Sequence, residues 1–181
     1  MSPPTLRLWD PLVRVFHLSL AGVFFSNYFF NEEGGDWHVW LGYYAVAWLG
    51  LRVVWGFTGP RSARWADFWP TLPRLRAHVG ALLARKSFHR LGHSPLGALV
   101  MVLMMTMIAG LGFSGWLMTE VDALWGADWP QQIHAWLADA LALVVCLHVA
   151  AALLESFLVK DNLPLSMLTG RRKPLADEPC D

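Results

Sequence analysis

The chain has 181 residues, 55% of them hydrophobic and only 15% charged, a composition too apolar for an ordinary soluble domain. A formal net charge of zero removes the global basicity that nucleic-acid binding asks for, and no Walker loop, CxxC pair or GxSxG elbow occurs in the sequence. Eleven Trp and ten Phe suit the aromatic belts of a membrane protein, and the length allows one domain of about four spans.

The N-terminus lacks a short apolar run followed by a small-residue cleavage site, so the first apolar segment is expected to stay as a span. Asp10-Pro11 reads as a helix start, with Asp as the cap and Pro in the first turn. The first span is predicted over 12–30, with Arg14 and His17 near its beginning. The linker 31–36, NEEGGD, is short, acidic and glycine-containing, so the first two spans form an antiparallel hairpin. The second span is predicted over 37–57. His38 opens it, Gly42 follows one turn later and Arg52 lies toward its far end. Gly59-Pro60 then stops the helix.

Residues 58–94 are polar and too many for a bare turn. Leu72, Leu75, Val79 and Leu82 recur at helical spacing among Arg74, Arg76, His78 and Arg85. That pattern predicts a short amphipathic helix lying on the membrane surface, with an irregular loop as the alternative. The third span covers 96–118. It is Met-rich in the middle and closes on Gly110, Gly112 and Gly115, interleaved with Leu111, Phe113 and Ser114. Small residues there allow either close helix packing or the approach of a flat ligand. After the loop 119–132 comes the fourth span, 133–159, predominantly apolar over its 27 residues. A short interfacial helix is open after Pro164. Cys146, inside the fourth span, and Cys180, next to the C-terminus, are badly placed to pair.

Charge sets the orientation. Every Lys and Arg lies in or beside the N-terminal arm, the 58–94 segment or the C-terminal tail. The loops 31–36 and 119–132 hold Glu32, Glu33, Asp36, Glu120, Asp122 and Asp128, and no cation. The positive-inside rule then puts both termini and the long segment in the cytoplasm. The expected fold is all-α: a single integral membrane domain over 1–181, built as a four-helix bundle of antiparallel up-down spans with a cytoplasmic interfacial helix.

His134 and His148 stand 14 positions apart in the fourth span, about 21 Å along a helix axis and within roughly 40° of one direction. Polar side chains are costly in lipid, so two on one face ask for a reason. The topology puts His38 at the depth of His134, on the outer side, and His17 at the depth of His148, on the inner side. A neutral imidazole is what haem iron takes axially, and a pair of them fills both axial positions. A pair alone underfills a tetrahedral zinc site. Two stacked bis-histidine haems, one between His38 and His134 and one between His17 and His148, imply outer-sphere electron transfer rather than oxygen chemistry. No CxxCH occurs, so the haems are not attached covalently in the c-type manner. If the histidines only pack helices, the chain is a non-redox scaffold and binds no haem.

Haem propionates need cationic or donor partners. Arg14 and Arg52 suit the inner haem, and Arg90 less well, although the positive-inside bias alone also accounts for each. Outer propionates have only Trp, amide donors and water. Asp139, five residues past His134 inside the span, reads as a proton carrier, a haem-edge partner or an acid facing the outer vestibule. His78, His89 and His93 fall on the cytoplasmic side, where a surface histidine is the default. His93, opening the third span in GHSPLG, is also a candidate proton acceptor or quinone contact, since histidine changes protonation near neutral pH.

The stretches WDPLVRVFH, WHVWLGY, LRVVWGFTGPRSARWADF, LGHSPLGA and IHAWLADALALVVCLHVAAALLESFLVKDN resemble the prokaryotic cytochrome b561 family. That family includes the cytochrome b subunit of Ni,Fe-hydrogenases and a quinone-linked superoxide oxidase. The likeness covers nearly the whole chain, and the two-histidine fourth span is its most specific part. It implies a four-helix bundle in the bacterial inner membrane with two haem b groups and the same two histidine pairs as ligands. It also implies electron exchange between the quinone pool of a respiratory chain and a partner such as a c-type cytochrome, a dehydrogenase or a hydrogenase. An electron-transfer subunit is the first reading. The alternative is an enzyme that oxidises superoxide and reduces quinone. That chemistry wants an outer cationic funnel for the anion, and the outer loops are acidic.

Overall fold

A computed structural model gives the protein's coordinates and describes residues 6–7, 10–84, 94–159 and 161–172. Among these residues the helices are α1 Pro11–Phe29, α2 Asp36–Thr58, α3 Trp65–Phe68, α4 Leu72–Leu83, α5 Pro95–Glu120, α6 Asp128–Val159 and α7 Leu163–Thr169. Two residues at each end add β1 Leu6–Arg7 and β2 Arg171–Arg172, an antiparallel ladder pairing Leu6 with Arg172 and Arg7 with Arg171. This small ladder departs from the all-helical expectation, and nothing in the local pattern marks it.

Among the described residues three helices are long and apolar enough to cross a bilayer: α1, α5 and the stretch Asp128–Leu158 of α6. Their outward side chains, such as Phe25, Phe29, Leu143, Leu147 and Phe157, are exposed, a surface that suits lipid rather than water. The predicted second span, α2, has sufficient length at 23 residues but is not among the three. Four Trp, two Tyr and three Gly dilute its aliphatic content, because indole and phenol each carry a polar atom.

The helix ends follow local chemistry. Asp10 Oδ1 accepts from the backbone N–H of Leu12 at 3.0 Å and of Val13 at 3.2 Å, the expected N-cap. The same oxygen accepts from Trp55 Nε1 at 3.2 Å, which fastens the start of α1 to the last turn of α2. Gly59 ends α2, its N–H donating to the Trp55 carbonyl at 2.8 Å. A Cβ there would stand only 2.6 Å from that oxygen, so the close approach requires glycine. Ser94 Oγ accepts from Gly97 N–H at 3.1 Å and caps α5. Helix α6 begins at Asp128, five residues ahead of the expected start, because an acid and Pro130 in the first turn open the helix before its apolar run begins. Asn162 Oδ1 accepts from Leu165 N–H at 2.9 Å and caps α7, which ends on Gly170 in the left-handed region, φ 76°.

The helix expected over the polar segment is α4. Leu72 and Val79 are exposed on it, whereas His78 is buried, so part of its apolar surface faces outward as an interfacial helix requires. His89, Arg90 and His93 lie outside the described residues.

The described residues divide between two compact units. One unit takes those within Met1–Arg14, Trp55–Val100 and His148–Asp181, and the other those within Val15–Val54 and Met101–Leu147. The first holds α3, α4, α7 and the β ladder. Within it Trp65 packs on Gly56, where any Cβ would run into the indole. The second holds most of α1, α2 and α5 and the first 20 residues of α6. Tyr44 on α2 donates to Ser19 Oγ on α1 at 3.1 Å, and a Cβ on Gly112 of α5 would collide with a Val46 methyl on α2.

Candidate functional site

The second unit brings two of the predicted histidines together. His38, in the first turn of α2, and His134, in the second turn of α6, have ring centroids 5.9 Å apart with their planes at 55°. Each ring is half-buried. They are held by different means. The His38 carbonyl accepts from Asn27 Nδ2 at 3.0 Å, and Asn27 Oδ1 in turn accepts from Asn31 Nδ2 at 2.8 Å, so the last turn of α1 grips the His38 backbone. The His38 ring has a buried Nδ1 with no hydrogen-bond partner among the described residues.

His134 is held through its ring. Its Nδ1 lies 2.9 Å from Ser114 Oγ, and Ser114 is only 3% exposed. Gly115 lies under the ring, its absent Cβ falling 3.7 Å from His134 Cε1. The glycine run of α5 thus has a mixed use. Gly110, whose Cβ would stand 3.1 Å from Leu137 Cδ1, packs α5 on α6, and Gly112 packs it on α2. Gly42, one turn past His38, has nothing within 4 Å of its Cβ position, so open space adjoins α2 there.

Of the remaining predicted residues, His17 on α1 and His148 on α6 are each half-buried, and they fall one to each unit. Arg52 is fully buried, 1% exposed. Arg14 does not lie free for a ligand: its Nε donates to the Met167 carbonyl at 3.0 Å and Nη2 donates to the Leu168 carbonyl. It thereby caps the C-terminal carbonyls of α7. Asp139 accepts from the phenol of Tyr28 at 2.9 Å. Sequence reasoning missed Ser114, Asn27 and Tyr28 as partners of the site. Their only signal was a hydroxyl or amide inside an otherwise apolar run. Among the described residues no three His, Cys, Asp or Glu side chains gather as a metal site. Two imidazoles alone suit a metal that brings its own in-plane ligands.

Apolar helices that could cross a bilayer, together with a facing imidazole pair on α2 and α6, have the make-up of a membrane cytochrome. The family model described as prokaryotic cytochrome b561 matches residues 8–170, and the chain belongs to that family. The protein is therefore a membrane b-type cytochrome, with haem b as its cofactor and electron transfer as its activity. No curated protein and no solved structure gives a significant match.

Proposed function

We propose that the protein is a dihaem cytochrome that carries electrons across the bacterial inner membrane between the quinone pool and a redox partner. The observation that carries this reading is the 5.9 Å separation of the His38 and His134 rings. Two imidazoles on opposite sides of one iron stand with centroids about 6 Å apart, from a metal–nitrogen bond of about 2 Å and about 1 Å from nitrogen to ring centre on each side. The open space at Gly42 leaves room for a flat macrocycle beside His38. The buried Nδ1 of His38 is no obstacle, since axial ligation uses the other ring nitrogen.

Haem, when bound, supplies a one-electron iron couple. The chain's residues do the rest. His38 and His134 would hold the outer haem, and a pair of imidazoles would leave its iron no place for oxygen or substrate. His17 and His148 hold the inner haem, a pairing drawn from their depth in the sequence. Arg52 puts a buried cation on α2 toward the inner side, where a propionate needs one. The apolar span surfaces exclude water from the electron path. On the inner side the quinone meets the segment around His93, and on the outer side the acidic loops receive a basic redox partner such as a c-type cytochrome.

The test is haem per polypeptide by pyridine haemochrome on detergent-purified protein from haem-supplied cells. Two b haems are expected in the wild type and one in each of His17→Ala and His38→Ala. A wild-type value of one, or equal contents in all three proteins, overturns the dihaem reading.

A further inference from the structure

Helix α5 contains no histidine, yet it touches the ring of His134. Ser114 Oγ stands 2.9 Å from the Gly110 carbonyl, 3.1 Å from the Leu111 carbonyl and 2.9 Å from His134 Nδ1. A serine hydroxyl has one proton. A backbone carbonyl cannot donate, so if that proton went to Nδ1 the hydroxyl oxygen would face two carbonyl oxygens at these distances with no hydrogen between them. The favourable arrangement gives the hydroxyl proton to a carbonyl, as serine in a helix commonly does. Oγ is then left with lone pairs only, and the contact to the ring requires His134 to donate from Nδ1. A neutral imidazole protonated at Nδ1 has its free lone pair on Nε2.

We infer that Ser114 is the positioning residue of His134, locking the imidazole in the Nδ1–H tautomer and turning Nε2 toward the iron. This rests on the reading of His134 as a haem ligand. The site is well made for the task. Ser114 is buried, so water cannot substitute for it, and the bare Gly115 next to it admits the ring edge at van der Waals distance. The outer haem then has unlike ligands. His134 donates a hydrogen bond to a fixed oxygen, which makes it the more basic ligand, while His38 makes no such bond among the described residues. A more basic ligand favours the ferric state, so Ser114 holds the potential of this haem down.

The experiment compares Ser114→Thr with Ser114→Val in the full-length holoprotein. The two side chains have nearly the same shape, and only threonine keeps the hydroxyl. Redox titration of the haem absorbance and low-temperature EPR of the ferric protein are the readouts. In Ser114→Val, one midpoint potential is expected to shift positive while the other stays in place, and one ferric low-spin signal is expected to move. Ser114→Thr is expected to retain the wild-type values. Selective loss of one haem from Ser114→Val alone supports the same conclusion, since an outer-shell partner commonly contributes about 10- to 100-fold to metal-ligand affinity. Indistinguishable behaviour of the two variants, whether both match the wild type or both shift or lose haem, overturns the inference. His134→Ala keeps the two failures apart: if it retains both haems, the ligand reading itself is wrong.

Discussion

Replacing Arg14 with methionine separates two uses of its guanidinium. In the structure the side chain donates to the carbonyls of Met167 and Leu168 at the C-terminal end of α7, so it holds that helix to the start of α1. A hydrogen bond from a charged donor contributes about 1.5–3 kcal/mol. Arg14 is only half-buried, and solvent screening brings the two bonds together down to about 2 kcal/mol. At 1.36 kcal/mol per tenfold, this corresponds to roughly a 30-fold rise in the opening of α7. Hydrogen exchange followed by mass spectrometry over 163–170 reads it directly, since the amides of Leu165, Ser166 and Gly170 are hydrogen-bonded within this element. Arg14→Met is expected to exchange about 30-fold faster there and to keep its full haem content. Unchanged exchange at α7 together with a loss of haem would refute the capping role and return Arg14 to a propionate.

Three further outcomes follow from the same geometry. Gly42→Ala should leave haem content unchanged, because a Cβ meets nothing within 4 Å, whereas Gly42→Leu should lower it from two haems to one; full content in the leucine variant shows that no macrocycle lies there. Gly112→Ala should destabilise the protein by about 1–3 kcal/mol through overpacking against Val46, and adding Val46→Ala should restore most of the thermal midpoint measured in detergent; a single variant as stable as the wild type denies the close contact of α5 with α2. In stopped-flow mixing with superoxide, oxidised haem should be reduced no faster than solution chemistry accounts for, since the loops 31–36 and 119–132 carry acids and no cation; fast reduction would instead make superoxide a substrate.

Several elements could be read before any coordinates, and the reasons are local. Asp10-Pro11 and Gly59-Pro60 act within one turn of themselves, so their helix-start and helix-stop chemistry is visible in the sequence. The approach of His38 to His134 follows from both standing near the starts of α2 and α6, a one-dimensional quantity. Depth fails where rotation and reach decide. Whether Ser114 faces His134 or lipid depends on how α5 is turned about its axis, and the interleaved Gly110, Gly112 and Gly115 do not fix that turn by spacing alone. Arg14 lies at a suitable depth for a propionate, but its side chain is long enough to choose the α7 carbonyls. The polar first turn of α6 hides its true start at Asp128 from an apolar pattern, while α2 keeps to within one residue of its expected bounds at each end.

The His38–His134 pair depends on a helix that supplies no histidine. His38 is fixed through its backbone by Asn27 of α1, and His134 through its ring by Ser114 of α5. Gly110 and Gly112 bring α5 close to Leu137 on α6 and to Val46 on α2, the two helices that carry the pair. A change in the seating of α5 therefore moves Ser114 and shifts both histidine-bearing helices at once. If the two rings hold one iron as proposed, a separation near 6 Å tolerates little of this, because a metal–nitrogen bond varies by only about 0.2 Å. On the proposed reading of His38 and His134 as ligands, small residues on α5 are as consequential for the haem as the histidines: enlarging Gly112 acts on the pair through backbone spacing, while removing the Ser114 hydroxyl acts through the tautomer. The first should alter haem retention and stability together. The second should alter the potential while the fold stays intact.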